Sequence, residues 1–249
     1  MARKELRHCD ILLRDGLSGT ALIDDAGPPM ETDTTLTIDA VVLNTDDTDL
    51  VPVGARFKVA GETDTDQVHV VTARDPAGDG PTTEITFTPA LGPGTYADDG
   101  VITFQAQELT IKVGDGTISW SEAKEYEYEL DRGDLDTVRE TDQQPMEVDL
   151  EFVFESVTAG TGESITPVDA LKRKAGASEW VNAATDPCEP FAVDMEIVHT
   201  PPCGGADIEE ILFPDFRYES LEYDLTEATI AVSGRCNATE PTVTRTPQS

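Results

Sequence analysis

Basic residues are scarce. Only 17 Lys and Arg stand against 50 Asp and Glu in the 249-residue chain, for a formal net charge of −33. An acidic excess of this size excludes nucleic-acid recognition through a basic patch. Aromatics are also few, at 6%, so a core must be built from Val, Ile, Leu and Ala. Four cysteines are present, Cys9, Cys188, Cys203 and Cys236, and none forms a C-x-x-C pair. Structural zinc takes its ligands in close pairs, so a zinc or disulfide arrangement of these four requires convergence of distant segments. Cys188 and Cys203 could close a loop, but spacing leaves connectivity open. In a reducing cytoplasm separate thiols are the default. No apolar run approaches the roughly 18 residues of a membrane helix. Met1 to Arg7 lacks the apolar stretch of a secretory leader. The reading is a chain made and assembled in the cytoplasm, without membrane partners.

What is abundant is acid, and it is spread along the chain rather than gathered in a tail. It comprises 27 Asp and 23 Glu, against 6 Lys and 11 Arg. That pattern fits a protein that folds in molar salt, where the Debye length falls to about 3 Å and self-repulsion is screened. With 38% hydrophobic residues, the chain can still bury a core, so it is not a disordered acidic tract.

Period-two alternation dominates the pattern and makes the chain mainly β. Met146, Val148, Leu150, Phe152 and Phe154 alternate with Glu147, Asp149 and Glu151. Tyr126, Tyr128 and Leu130 alternate with Glu127 and Glu129, as in a half-buried strand. Leu109–Val113, Gly114-Asp115-Gly116 and Thr117–Trp120 read as a β-hairpin. Ile11–Arg14, Ala192–Val198 and Ala228–Ser233 read as further strands. Residues 21–104 carry short strands, at Thr35–Ile38, Arg56–Val59, His69–Thr72 and Glu84–Phe87, between Thr-, Asp-, Gly- and Pro-rich turns. They form a distinct small β-module, insertable because domain termini often lie close together. One helix is expected over Thr166–Lys174, with Thr166 as N-cap and Pro167 in first position. Gly176 ends or interrupts it, and Ser178–Val181 are candidates to resume it. Glu240–Ser249 read as a tail that orders on contact with a neighbour.

Motifs for chemistry are lacking. The chain has no G-x-S-x-G elbow, H-E-x-x-H helix, Walker loop or dinucleotide fingerprint. Fifty acids make any chosen carboxylate pair uninformative as a glycosidase signature. Asp131–Asp136 crowds oxygen ligands but misses the EF-hand spacing. Asn237-Ala238-Thr239 is a sequon that lacks a secretory context. The expectation is a protein that is not an enzyme and needs no cofactor.

Four sets of blocks stand out: Lys4–Cys9 with Asp15–Gly19, Asp131–Glu140 with Gln144–Val148, Asp186–Ile197 with Thr200–Gly204, and Phe213–Leu225 with Ile230–Asn237. Together they resemble the siphovirus major tail tube proteins. The resemblance covers roughly residues 1–20 and 105–245. With the acidity, it points to a virus of a halophilic archaeon. It implies a tail-tube β-sandwich or barrel-forming domain, 1–20 and 105–249, with one flanking α-helix. The β-rich module 21–104 would be inserted and project outside the tube. It further implies hexameric rings, stacked head to tail into a conduit for double-stranded DNA. The other partners implied are tape-measure, terminator and baseplate proteins at the tube ends, with localisation in the virion tail. Glu127, Glu129, Glu147, Asp149 and Glu151 are then lumen-lining candidates. The alternative is a secreted or surface β-rich binding module of a halophile.

Overall fold

The computed structural model describes residues 8–24, 29, 31–44, 50–76, 81–97, 99–111, 117–132, 134–153, 165–184, 188–201 and 207–247. The chain is mainly β, and the described residues include one short α-helix. It divides into two compact units. The first comprises Met1–Leu13, Leu109–Leu171 and Ala192–Ser249; the second comprises Arg14–Glu108 and Lys172–Phe191.

The second unit holds a closed barrel. Its strands are β2 (Gly19–Ile23), β3 (Thr35–Leu43), β4 (Arg56–Val59), β5 (His69–Asp75), β6 (Glu84–Thr88) and β7 (Val101–Gln105). They close in the order β2-β3-β6-β5-β4-β7. The meander β4-β5-β6 with β3 returning beside β6 is a Greek key. Alternation explains the interior: every second side chain of β4, β6 and β7 is buried. Phe57, Phe87, Phe104, Ile85, Ile102 and Leu36 fill the barrel, and closure leaves no open strand edge. The unit extends beyond residues 21–104, because Lys172–Phe191 returns to it.

Two buried polar groups organise this unit. His69 is fully buried; its Nδ1 faces the Pro89 carbonyl at 2.7 Å and its Nε2 faces the Glu62 carboxylate at 3.0 Å. Glu62 also accepts from the Gly92 N–H at 2.9 Å and the Tyr96 hydroxyl at 3.3 Å. Burial next to Glu62 pushes the Tyr96 phenol up to about 12. The carboxylate of Asp15 gathers three strands of chain. It accepts from the N–H groups of Leu17 at 3.2 Å, Gln107 at 2.7 Å and Val181 at 3.1 Å. Burial pushes its carboxyl up to about 6, against the opposing pull of these bonds.

The first unit is built on an eight-stranded sheet. Its strands are β1 (Cys9–Arg14), β8 (Glu108–Ile111), β9 (Ile118–Ser121), β12 (Met146–Val153), β13 (Val193–His199), β14 (Ile208–Asp224), β15 (Thr229–Cys236) and β16 (Thr242–Thr246). The order is β8-β1-β13-β14-β15-β12-β9, with β16 also on β14. One face is the core: Met146, Val148, Leu150 and Phe152 of β12 are buried with Ile230 and Val232 of β15 and Phe213 and Phe216 of β14. A two-stranded sheet, β10 (Lys124–Asp131) and β11 (Asp134–Gln143), stands apart from it.

The helix α1 spans Pro167–Lys172. Thr166 Oγ1 accepts the Asp169 N–H at 3.1 Å, and Asp169 accepts the Thr166 N–H at 3.2 Å. This is a reciprocal capping box with Asp in the third position. Arg173 and Ala175 then adopt positive φ, 50° and 48°, which ends the helix in the left-handed region. The chain continues as a 3-10 turn at Ala175–Ala177, so the helix does not resume over Ser178–Val181.

Two further expectations are corrected. Leu109–Ile111 and Ile118–Trp120 are strands but not partners: β8 pairs with β1 and β9 with β12, at opposite ends of the sheet. Each finds a longer apolar neighbour than the other offers. The stretch after Glu240 is no loose tail, because Thr242–Thr246 pair with Leu212–Ile208 as β16.

Candidate self-assembly surface

The hairpin β10–β11 is the most unusual element of the first unit. It continues directly from the sheet. Only Glu122-Ala123 separate β9 from β10, and only Gln144-Pro145 separate β11 from β12. Pro145 cannot donate to a ladder, so the paired arm and the sheet are separate ladders on one hairpin. At roughly 3.3 Å per residue, strands of this length make an arm of about 25–30 Å. At its base, Trp120 of β9 packs edge-on against the buried Phe213, with ring centroids 5.3 Å apart.

Every described residue of both arm strands is exposed. The strands are nevertheless amphipathic. Tyr128 pairs with Val138 and Leu130 with Leu135, and Tyr126 shares their face. These five side chains are 46–69% exposed. The opposite face carries Glu127 opposite Arg139, and Glu129 opposite Thr137. Glu129 holds Arg139 at 3.4 Å and the Thr137 hydroxyl at 2.9 Å. The period-two pattern therefore gives a strand, as expected, but not a half-buried one. Among the described residues no core covers its apolar face. An isolated two-stranded hairpin is marginal in water, and an exposed apolar face is a mark of an interaction site.

The strand β14 offers a second unfinished feature. The β13 ladder reaches Phe216, while β14 runs on along β15 to Asp224. Tyr218 and Tyr223 of this overhang, and Leu225 after it, are exposed. A bulge between Tyr218 and Ser220 bends the strand here. Opposite the bulge a side chain at Gly234 would run into the Arg217 carbonyl and the Phe216 ring.

Glu147, Asp149 and Glu151 lie on the face of β12 opposite the core. Asp149 stands across from Ser233 and Glu151 from Ala231, and those residues pair onward with Ser220 and Glu222 of β14. Asp149, Glu151 and Glu222 thus line one open depression of about 280 Å³ with Thr117, Ser220 and Ser233. Glu147 meets a cation: Arg235 lies 2.8 Å from it and 3.7 Å from Glu219. The structure so gathers Glu147, Asp149 and Glu151 on one sheet face, and it places Glu127 and Glu129 on the polar face of the arm. Glu222 joins the first group through pairing, which spacing along the sequence could not show. The apolar face of the arm was legible as alternation, but its exposure was not.

Of the cysteines, Cys9 is half-buried at the start of β1, Cys188 is exposed, and Cys236 is buried on β15. Burial, with Asp194 and Asp215 nearby, pushes the Cys236 thiol up to about 12. Cys203 lies outside the described residues. Among the described residues no three His, Cys, Asp or Glu side chains are grouped to hold a metal, and no helix is long and apolar enough to cross a membrane. Compared with known protein families, curated proteins and solved structures, the chain matches none.

Proposed function

We propose that the chain is a structural subunit that polymerises with copies of itself, and specifically a tail-tube subunit of a virus. The observation that carries this reading is the arm: two paired strands, exposed on both faces, with Tyr126, Tyr128, Leu130, Leu135 and Val138 presented together. A monomer gains nothing by exposing five large apolar side chains on an element that, among the described residues, packs against no core. A second copy covering that face supplies the missing burial, at about 25 cal/mol per Å² of apolar area removed from water. The overhang of β14 supplies a complementary feature, a strand that outruns its neighbour and accepts another by edge addition. Contacts of this kind between unlike surfaces of one chain are heterologous, so they close into rings or run on as filaments.

In this reading the second unit is an appendage. Its barrel is closed and presents no open edge for pairing. The acidic face of β12, with Glu147, Asp149, Glu151 and Glu222, is the candidate lumen wall. Carboxylates along a conduit repel phosphates and prevent the adhesion that cations would cause. The resemblance of residues 1–20 and 105–245 to siphovirus tail tube proteins supports the same assignment.

The test is electron microscopy of the purified full chain in about 2–3 M salt, where screening is nearly complete. Hollow tubes or stacked rings are expected. Uniform monomers at high concentration would overturn the assignment.

A further inference from the structure

We propose that β16 is an exchangeable latch, a strand that completes β14 of a second copy rather than only its own. The argument begins with what holds it. All five residues of Thr242–Thr246 are exposed, so β16 adds no side chain to the core. It is held by its backbone ladder to Ile208–Leu212 and by Arg245, which reaches the Glu209 carboxylate at 2.8 Å. Glu209 itself is buried. The edge of β14 therefore needs a strand carrying a cation at this place, but nothing in the contact requires the strand to come from the same chain.

The topology removes the usual local commitment. A strand that follows its partner through a tight turn is bound to it by loop closure. Here β15 and β16 both run antiparallel to β14 along the same edge, β15 beside Phe216–Asp224 and β16 beside Ile208–Leu212. The chain goes forward from one to the other through residues 237–241 without turning back. Asn237–Glu240 form bends, with the Ala238 carbonyl accepting the Met146 N–H at 2.8 Å, and Pro241 offers no N–H. The three residues beyond that bond, 239–241, span about 10 Å when extended, enough to redirect β16 to a copy held against this edge. Exchange replaces each bond and the Arg245–Glu209 pair by an identical one, so the balance between the two states is set by local concentration. In an assembly, where copies are held side by side, exchange locks them together. The inference rests on self-association, but not on the tube.

The experiment uses the full chain with Cys188→Ser, which removes an exposed thiol, and Cys203→Ser. One pair of variants carries Glu210→Cys and Thr244→Cys on separate chains. A second pair carries Ile211→Cys and Val243→Cys, the neighbouring rung. Adjacent rungs of an antiparallel ladder alternate between narrow and wide, so one of the two can form a disulfide. Each pair is mixed, assembled in high salt, oxidised and run on a denaturing, non-reducing gel. A covalent dimer in at least one mixture, absent from either variant alone, is expected. Chains carrying both cysteines of a pair serve as the intrachain reference. Disulfides confined to single chains there, with no dimer in the mixtures, overturn the proposal. So does the absence of any bond in both rungs, since β16 then does not lie on β14 in this register. Microscopy of the same samples separates the readings. Tubes without interchain bonds sink the exchange alone, and interchain bonds without tubes sink the tube alone.

Discussion

Asp15 shows how one buried carboxyl shapes the pH response of the barrel unit. The folded chain keeps a proton on it up to about pH 6, whereas the ordinary value is 3.8. The folded state therefore binds the proton more tightly between those values. The stability this group contributes is complete below pH 3.8 and is lost as pH rises through about 6. With Asp15→Asn this slope disappears. In urea titrations from pH 4 to pH 7, wild type should lose up to about 3 kcal/mol relative to the variant as pH rises. A difference that stays constant across the range contradicts the burial of Asp15. His69 and Glu62 make a sharper case. Removing Glu62 leaves the buried His69 Nε2 without its hydrogen-bond partner, at about 1–3 kcal/mol. Glu62→Ala should therefore lower the urea midpoint of the barrel unit far more than substitution of an exposed acid such as Glu84. Thiol chemistry separates the cysteines: Cys236, buried with its thiol pushed up to about 12, should resist maleimide at pH 8 in the native protein. Exposed Cys188 should label within minutes.

At the scale of elements, arm and helix make opposite predictions. The apolar face of the arm is exposed, so Tyr128→Asp with Leu130→Asp removes no core contact. Monomer unfolding should shift by no more than about 0.5 kcal/mol, as for exposed positions generally. Assembly should be abolished, as measured by sedimentation in high salt. Loss of monomer stability by several kcal/mol instead would place the arm in a core of its own chain. For α1 the stability lies in the cap. Thr166→Ala removes the acceptor of the Asp169 N–H and should cost about 1 kcal/mol.

For the whole molecule, charge decides the conditions. A net charge of −33 opposes both folding and self-association. Near 0.1 M salt the Debye length is about 10 Å, and self-repulsion reaches across neighbouring acids; at 1 M it is about 3 Å. The urea midpoint and the assembled fraction should both rise with salt between these limits. A midpoint that does not move with salt would show that the acidic surface is already accommodated without screening.

Local signals sufficed for the elements themselves. The alternation in Met146–Val153 gave β12 and the face on which Glu147, Asp149 and Glu151 stand. The sequence Thr166-Pro167-Val168-Asp169 contains every group of the helix cap, and the cap formed as the spacing required. The short runs at Thr35, Arg56, His69 and Glu84 all became barrel strands. Charge and its consequences for salt also follow from composition, because they need no coordinates. Which strand meets which was decided elsewhere. Leu109–Ile111 and Ile118–Ser121 look like two arms of a hairpin, yet their partners are β1 and β12. Pairing is a competition among all available edges, and neither strand carries a record of the others. The same holds for Tyr126, Tyr128 and Leu130: alternation sets that they share one face, but only the tertiary structure settles what covers it. Here no part of the described chain does, because the arm leaves the sheet at Pro145 and meets no second apolar layer.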